Sequence, residues 1–109
     1  MTQEQLYLHL KSLGIPVAYS EFIVTDTNPA PTPPFITYIY SKNDDMMADN
    51  KNYVDIRNYQ IELYTKKKDL YIEKLLEDKL KELNITYSKF ESKIESEKLI
   101  QLVYTIQLI

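Results

Sequence analysis

The chain has 109 residues, of which 44% are hydrophobic and 27% charged, and its net charge is −3 at neutral pH. These values are typical of one globular domain over residues 1–109, and the acidic balance argues against an electrostatic grip on nucleic acid. The absence of cysteine and the single glycine, Gly14, exclude disulfides, thiolate metal sites and glycine-rich phosphate loops.

The N-terminal region predicts a helix over residues 2–13. Thr2 and Gln5 have capping-box spacing, and leucines recur at helical intervals at Leu6, Leu10 and Leu13. Gly14 is a suitable C-terminal stop for this helix. The N-terminus shows no signal-peptide pattern, and no apolar run is long enough to span a bilayer, so we expect a soluble intracellular protein.

The next segments predict the first part of a sheet. Val17–Tyr19 favours a short extended piece at a sheet edge, and the proline-rich segment 20–34 predicts an irregular connection lying across the domain. Residues 35–40 and 53–65 predict two strands, most simply paired antiparallel with one buried face and one wetter face. The polar segment 41–52 between them predicts a long loop, and a tight two-residue turn is not expected there.

The second half predicts one helix and two strands. Asp69 is a suitable N-cap for a helix over about 70–83, and Asn84 is a suitable left-handed stop. Its apolar stripe comprises Ile72, Leu75, Leu76, Leu80 and Leu83. The same pattern places Glu73 and Glu77 away from that stripe.

Residues 85–94 and 98–109 predict the third and fourth strands, because their apolar residues alternate with polar ones. The predicted order is therefore α-β-β-α-β-β. The predicted fold class is α+β, with a four-stranded, mostly antiparallel sheet and two helices on one face.

One helical layer covers one sheet face, yet two strands carry large side chains on both sides. An aromatic stripe of period two is more often core, but this two-sided pattern favours a second face half-covered by another subunit. The candidate subunit interface comprises Tyr38, Tyr40, Tyr64, Leu99 and Val103.

The predicted loop 41–52 is a candidate assembly loop, comprising Asp44, Asp45, Met46, Met47 and Asp49. It lacks the central glycine and distal glutamate of a calcium loop, so we interpret its carboxylates as solvated and expect no metal site. Its two adjacent methionines either fold back on the domain or insert into a partner, a role that flexible side chains suit.

The chain carries one dense basic cluster, the candidate basic turn Lys66, Lys67 and Lys68. Nearby carboxylates balance it, which favours a solvated face over a phosphate site. The single histidine, His9, has no second histidine and no serine in a strained elbow to act with, so the pattern predicts neither a zinc site nor a triad. We expect no catalytic residues, no cofactor and no enzyme activity.

Four stretches carry a family resemblance: PPFITYIY, ADNKNY, YQIELYTKKKD and ESEKLIQLVY. They are similar to the small tail-completion proteins, also called tail terminator or head–tail joining proteins, of long-tailed bacteriophages and prophages of Gram-positive bacteria. The resemblance covers Pro33–Tyr104 in order. It implies a small α/β domain that assembles as a ring, typically a hexamer, at the head-proximal end of the tail tube.

The resemblance also implies the role and the partners. The ring ends tube growth and joins the tail to the head, so its partners are further copies of itself, the tail tube protein and a head-completion or connector protein. It is made in the host cytoplasm and resides in the virion, with no membrane contact. DNA passes through the channel without specific binding, which an acidic protein suits.

Two alternatives stay open. The first alternative to the tail-completion role is a monomeric module that binds a peptide or RNA on its open sheet face. The second is another phage neck (head-completion) protein.

Overall fold

A computed structural model describes all residues from 1 to 109 and shows an α+β fold. The elements are α1 (Gln3–Lys11), β1 (Val17–Tyr19), β2 (Phe35–Asn43), β3 (Met46–Ala48), β4 (Lys51–Val54), β5 (Arg57–Thr65), α2 (Leu70–Glu82), β6 (Tyr87–Ile94) and β7 (Leu99–Leu108). The predicted α+β class is confirmed. The structure differs from the predicted four-stranded sheet and six-element order, because it has a mixed five-stranded sheet and a separate two-stranded sheet.

Local capping explains where both helices begin and end. The Thr2 hydroxyl accepts the Gln5 N–H at 3.1 Å, and the Gln5 side chain accepts the Thr2 N–H at 2.9 Å. The Asp69 carboxylate accepts an N–H of the first turn of α2. Gly14 and Asn84 follow the two helices at φ values of 79° and 57°, as predicted. Neither helix is both long enough and apolar enough to cross a membrane.

The main sheet has the strand order β1-β2-β5-β7-β6. The predicted antiparallel pairing of β2 with β5 is confirmed, and β7 lies antiparallel to both β5 and β6. Strand β1 pairs parallel to β2 at the edge. Parallel neighbours need a crossover of a dozen or more residues, and the proline-rich segment 20–34 has that length.

Both helices pack on one face of this sheet. The residues that meet there are fully buried or nearly so: Leu6, Leu10, Leu76 and Leu80 from the helices, and Ile36, Ile61, Leu63, Leu102 and Ile106 from the strands. Alternate residues along a strand point to opposite faces, so these positions define a helix-covered face and leave an open face behind it. The open face carries the residues between them along each strand.

The strand predicted over residues 53–65 is wrong in its first part. Asp55 and Ile56 interrupt it, so residues 51–54 form β4 and pair with β3 in a separate hairpin. The predicted long loop over 41–52 is also wrong, because a two-residue turn at Asp49 and Asn50 joins β3 to β4. Both turn residues have positive φ, 52° and 61°. Asp and Asn tolerate this left-handed conformation better than other non-glycine residues, which is why the tight turn forms.

An ionic network joins α2 to the sheet, and it contains a carboxylate that the sequence pattern placed away from the core. Glu73 is only 2% exposed, so the predicted outward orientation is wrong. Its Oε2 lies 2.8 Å from the Lys68 Nζ, and its Oε1 lies 2.7 Å from the Lys89 Nζ. Two ammonium groups therefore compensate the buried charge.

Glu77 completes this network one turn along α2. The Lys89 Nζ reaches its Oε2 at 2.7 Å, and the Tyr104 hydroxyl donates to the same oxygen at 2.8 Å. Burial raises the pKa of Tyr104, and its hydrogen bond to Glu77 raises the pKa further. Burial alone would raise the pKa of Glu77 as well, but the donors around it hold that pKa below its ordinary value.

Candidate functional site

The predicted subunit interface is divided between two faces of the sheet. Tyr38 and Tyr40 point to the helix-covered face, whereas Tyr64, Leu99 and Val103 lie on the open face. Alternation within one strand shows which of its residues share a face. The register between neighbouring strands decides which residues of different strands lie on the same face. The five residues therefore do not form one surface.

Tyr38 has to be removed from the predicted interface. It is 5% exposed and packs in the core, with its ring 6.2 Å from Tyr7 and 5.1 Å from Tyr19. Burial raises the pKa of Tyr38. Tyr40 lies on the same side but near the end of the sheet, where 41% of it is exposed and its hydroxyl donates to Asn43 at 2.7 Å.

The open face is ordered by a hydrogen-bond network around Glu62. Its Oε2 accepts the hydroxyl of Thr37 at 3.1 Å and the hydroxyl of Tyr64 at 2.6 Å. The Gln101 amide donates to the Tyr64 oxygen at 3.0 Å, and Ser92 donates to the Gln101 carbonyl at 3.1 Å. Burial raises the pKa of Tyr64, and the hydrogen bond to Glu62 adds to the rise. The network fixes the Tyr64 ring in one orientation.

The proline-rich segment 20–34 lies against this face and forms a groove with it. The groove has a volume of about 540 Å³, within the usual size range of binding pockets. We call it the open-face groove and define it by Phe22, Val24, Phe35, Tyr64, Lys66, Glu97 and Leu99. The rings of Phe35 and Tyr64 stack at 4.9 Å, and Phe22 meets Phe35 edge-on at 5.5 Å. Two predicted interface residues, Tyr64 and Leu99, thus line an aromatic groove.

The hairpin of β3 and β4 is the second candidate surface, which we call the arm (residues 46–54). Its strands pair only with each other. Three large apolar side chains are exposed on it: Met46 by 56%, Met47 by 73% and Tyr53 by 74%. The methionines do not fold back on the domain, which was one of the two interpretations of this pair. Their insertion into a partner stays a prediction.

Two carboxylates of the predicted assembly loop hold the base of the arm. Asp45 accepts the Ile56 N–H at 2.9 Å and the Asn52 amide at 2.6 Å. Asp44 accepts the Asn58 amide at 2.8 Å. The interpretation of these carboxylates as merely solvated is therefore wrong, because they link the arm to the start of β5. The third carboxylate, Asp49, lies in the turn at the tip.

The candidate basic turn does not act as one cluster. Lys66 and Lys67 are exposed, and Lys66 lies at the rim of the open-face groove. Lys68 instead turns towards α2 and β6, where it pairs with Glu73 and Glu91. These ion pairs raise the pKa of Lys68. The structure contains no group of three or more His, Cys, Asp or Glu residues placed to hold a metal ion.

The sequence pattern singled out Met46, Met47 and Asp49 of the arm and Tyr64, Leu99 and Lys66 of the groove, but it identified neither surface as a whole. The Asp49–Asn50 dipeptide between two short β-prone runs is the signal that could have identified the arm. The groove has no local signal, because it forms where the connection after β1 meets β2, β5 and β7. A scan of the chain against protein-family models gives no match, and a search of curated proteins finds none that matches either.

Proposed function

We propose that the protein is a structural phage assembly protein that forms a ring at the head-proximal end of the tail tube. There it ends tube growth and joins the tail to the head, with the tail tube protein and a head-completion or connector protein as neighbours. The family resemblance implies that this ring is a hexamer. DNA passes through its channel without specific binding, and the net charge of −3 supports this.

The exposed arm is the observation that carries the proposal. It places three large apolar side chains, Met46, Met47 and Tyr53, in solvent on a hairpin whose base is fixed by Asp45. Exposed methionine and tyrosine side chains are enriched at protein interfaces relative to the rest of the surface. Because the arm is already ordered, binding through it costs less conformational entropy than ordering a free loop. These properties suit an assembly protein.

Light scattering tests the proposal by measuring molar mass over a concentration series that reaches high micromolar protein. We expect the mass to rise from one copy towards six, and electron microscopy of the same samples should show annular particles. Electrophoretic mobility of duplex DNA should be unchanged by the protein at moderate salt. A mass of one copy at every concentration would contradict ring formation by the protein alone.

The open-face groove favours a second candidate, a monomeric module that binds a peptide through its aromatic floor. Lys66 and Glu97 at the rim suit a peptide with both charge signs around an apolar residue. RNA binding on this face is less well supported, because Lys68 is ion-paired with Glu73 and Glu91 and its charge is not free for a phosphate. A monomer that binds such a peptide with chemical-shift changes at Phe35 and Tyr64 would favour this candidate.

The other alternative, a different phage neck protein, would keep the ring but change its neighbours in the virion.

A further inference from the structure

We propose that the arm of one copy binds in the open-face groove of the next copy, so that every subunit donates one arm and accepts another. The inference rests on the proposed function, because it names the contact by which the ring would close. Its occupant is a second copy of this chain, argued from the position, shape and charge of the two surfaces.

The arm and the groove lie at opposite ends of the same strands. The arm leaves β2 after Asn43 and returns to β5 at Arg57, whereas the groove surrounds Phe35 and Tyr64 at the other ends of these two strands. Strand β2 has nine residues, so the two ends are about 26 Å apart at 3.3 Å per residue. The arm strands have three and four residues and extend roughly 14 Å. An arm therefore falls short of the groove of its own copy.

The side chains of the arm match the groove in chemistry. Met46 and Met47 are consecutive in β3 and point to opposite faces of the arm, so one of them enters the groove at a time. Met47, the more exposed of the two, is unbranched and flexible and can fill an irregular apolar space. The groove offers the stacked rings of Phe35 and Tyr64, and thioether sulfur makes favourable contacts with aromatic rings. The Glu62 network already satisfies the Tyr64 hydroxyl, so an apolar side chain can cover that ring without leaving the hydroxyl unpaired.

Charges at the tip of the arm and at the rim of the groove give the contact a direction. The tip carries Asp49 and Lys51, one on each side of Asn50, and the rim carries Lys66 and Glu97. In one orientation both acid–base pairs are matched, whereas in the reversed orientation like charges meet. Such complementarity selects register and suppresses wrong pairings.

An arm and a groove at opposite ends of the sheet define a head-to-tail contact between neighbouring copies. Contacts of this type generate a closed ring when the rotation between copies closes, and an open filament when it does not. An arm-to-arm contact would instead give a two-fold dimer, because the same surface would be used by both copies. The arrangement of the two surfaces therefore favours a ring or an open filament over a two-fold dimer.

Cysteine cross-linking tests the contact directly, since the natural chain contains no cysteine. Tagged Met47→Cys protein is mixed with untagged Val24→Cys protein at high micromolar concentration, oxidised mildly and separated on a non-reducing gel. Placing the two cysteines on different copies excludes cross-links within one chain. The control replaces Met47→Cys with Leu8→Cys, a residue of comparable exposure on α1 (62% against 73%). We expect at least a tenfold excess of tagged–untagged dimer for the Met47 pair over the control.

A charge exchange adds specificity to the same measurement. Lys66→Glu on the Val24→Cys copy should lower the cross-linking yield, and Asp49→Lys on the Met47→Cys copy should restore it. Rescue by the second change is the result that a general loss of folding or solubility would not produce.

The outcomes separate this inference from the proposed function. Self-association by light scattering without excess Met47–Val24 dimer would overturn the arm-in-groove contact and leave the ring proposal standing. A predominance of Met47–Met47 dimers would also overturn it, because that product indicates arms pairing with each other. A protein that stays monomeric and gives no cross-link would overturn both.

Discussion

Replacing Glu73 by Gln tests whether the buried ionic network holds α2 on the sheet. The substitution keeps the size of the side chain but removes the charge of a carboxylate whose Oε1 accepts hydrogen bonds from Lys68 at 3.1 Å and from Lys89 at 2.7 Å. Each charge-assisted hydrogen bond contributes about 1.5–3 kcal/mol in a favourable setting. Lys68 and Lys89 are 45% and 32% exposed in their side chains, and each keeps a second carboxylate, Glu91 or Glu77. We therefore expect a total loss of about 2 kcal/mol.

Urea unfolding at pH 7, followed by circular dichroism, measures this loss. A change of about 2 kcal/mol corresponds to a fall of roughly 8–16 °C in Tm for a domain of this size. Glu82→Gln is the matched control, because it makes the same replacement on the same helix in a side chain that is 67% exposed. That control should change the free energy of unfolding by no more than about 0.5 kcal/mol. Equal losses for the two variants would refute the reasoning.

The pH dependence gives a second test of the same carboxylate. Burial by itself would raise the pKa of Glu73, but Lys68 and Lys89 outweigh burial and hold that pKa below its ordinary value of 4.5. A lowered folded-state pKa means that the ionised group stabilises the protein fully above about pH 4.5 and loses this effect as the pH falls through the folded value. The stability gap between wild type and Glu73→Gln should therefore be full at pH 7 and shrink in acid. A gap that stays constant between these conditions would contradict the ionic explanation.

Three further substitutions test the arm and the core. Met47→Glu should keep the molar mass at one copy in light scattering while leaving Tm unchanged. The control Leu8→Glu should assemble normally, and equal assembly of both variants would argue against the arm as an assembly surface. Asp45→Ala should speed protease cleavage within residues 46–54, because the base of the arm loses its hydrogen bonds, and an unchanged cleavage rate would count against this role. Tyr104→Phe should lower the free energy of unfolding by about 1–2 kcal/mol, since a buried hydrogen bond to Glu77 is lost, and a change below about 0.5 kcal/mol in urea unfolding would contradict it.

Features that depend on a few neighbouring residues were predictable from the sequence. The capping box of Thr2 and Gln5, the Asp69 N-cap and the left-handed stops at Gly14 and Asn84 all lie where the pattern placed them. Their energetics involve hydrogen bonds and backbone conformations within one turn of helix, so the rest of the fold hardly changes them. The α+β class followed from the same local patterns.

Errors arose where local patterns fit two structures equally well. The alternation from Tyr53 to Tyr64 suggested one continuous strand, yet the chain leaves the main sheet at Asp55 and Ile56 and forms the arm instead. Strand β1 has three residues, too few to indicate by themselves a parallel partner. In both cases the choice depends on which strands are available for pairing elsewhere in the chain.

The sequence alone determined the two helices, their ends and most of the strand segments, and it singled out part of each candidate surface: Met46, Met47 and Asp49 of the arm, and Tyr64, Leu99 and Lys66 of the groove. Only the tertiary structure decided that Tyr38 is core, that Glu73 is buried between two lysines, and that the arm and the groove lie at opposite ends of the sheet. The physical reason is that burial, ion pairing and the position of a surface depend on register and on contacts between residues far apart in the chain. Helix caps and turn conformations, by contrast, are settled by residues three or four positions apart.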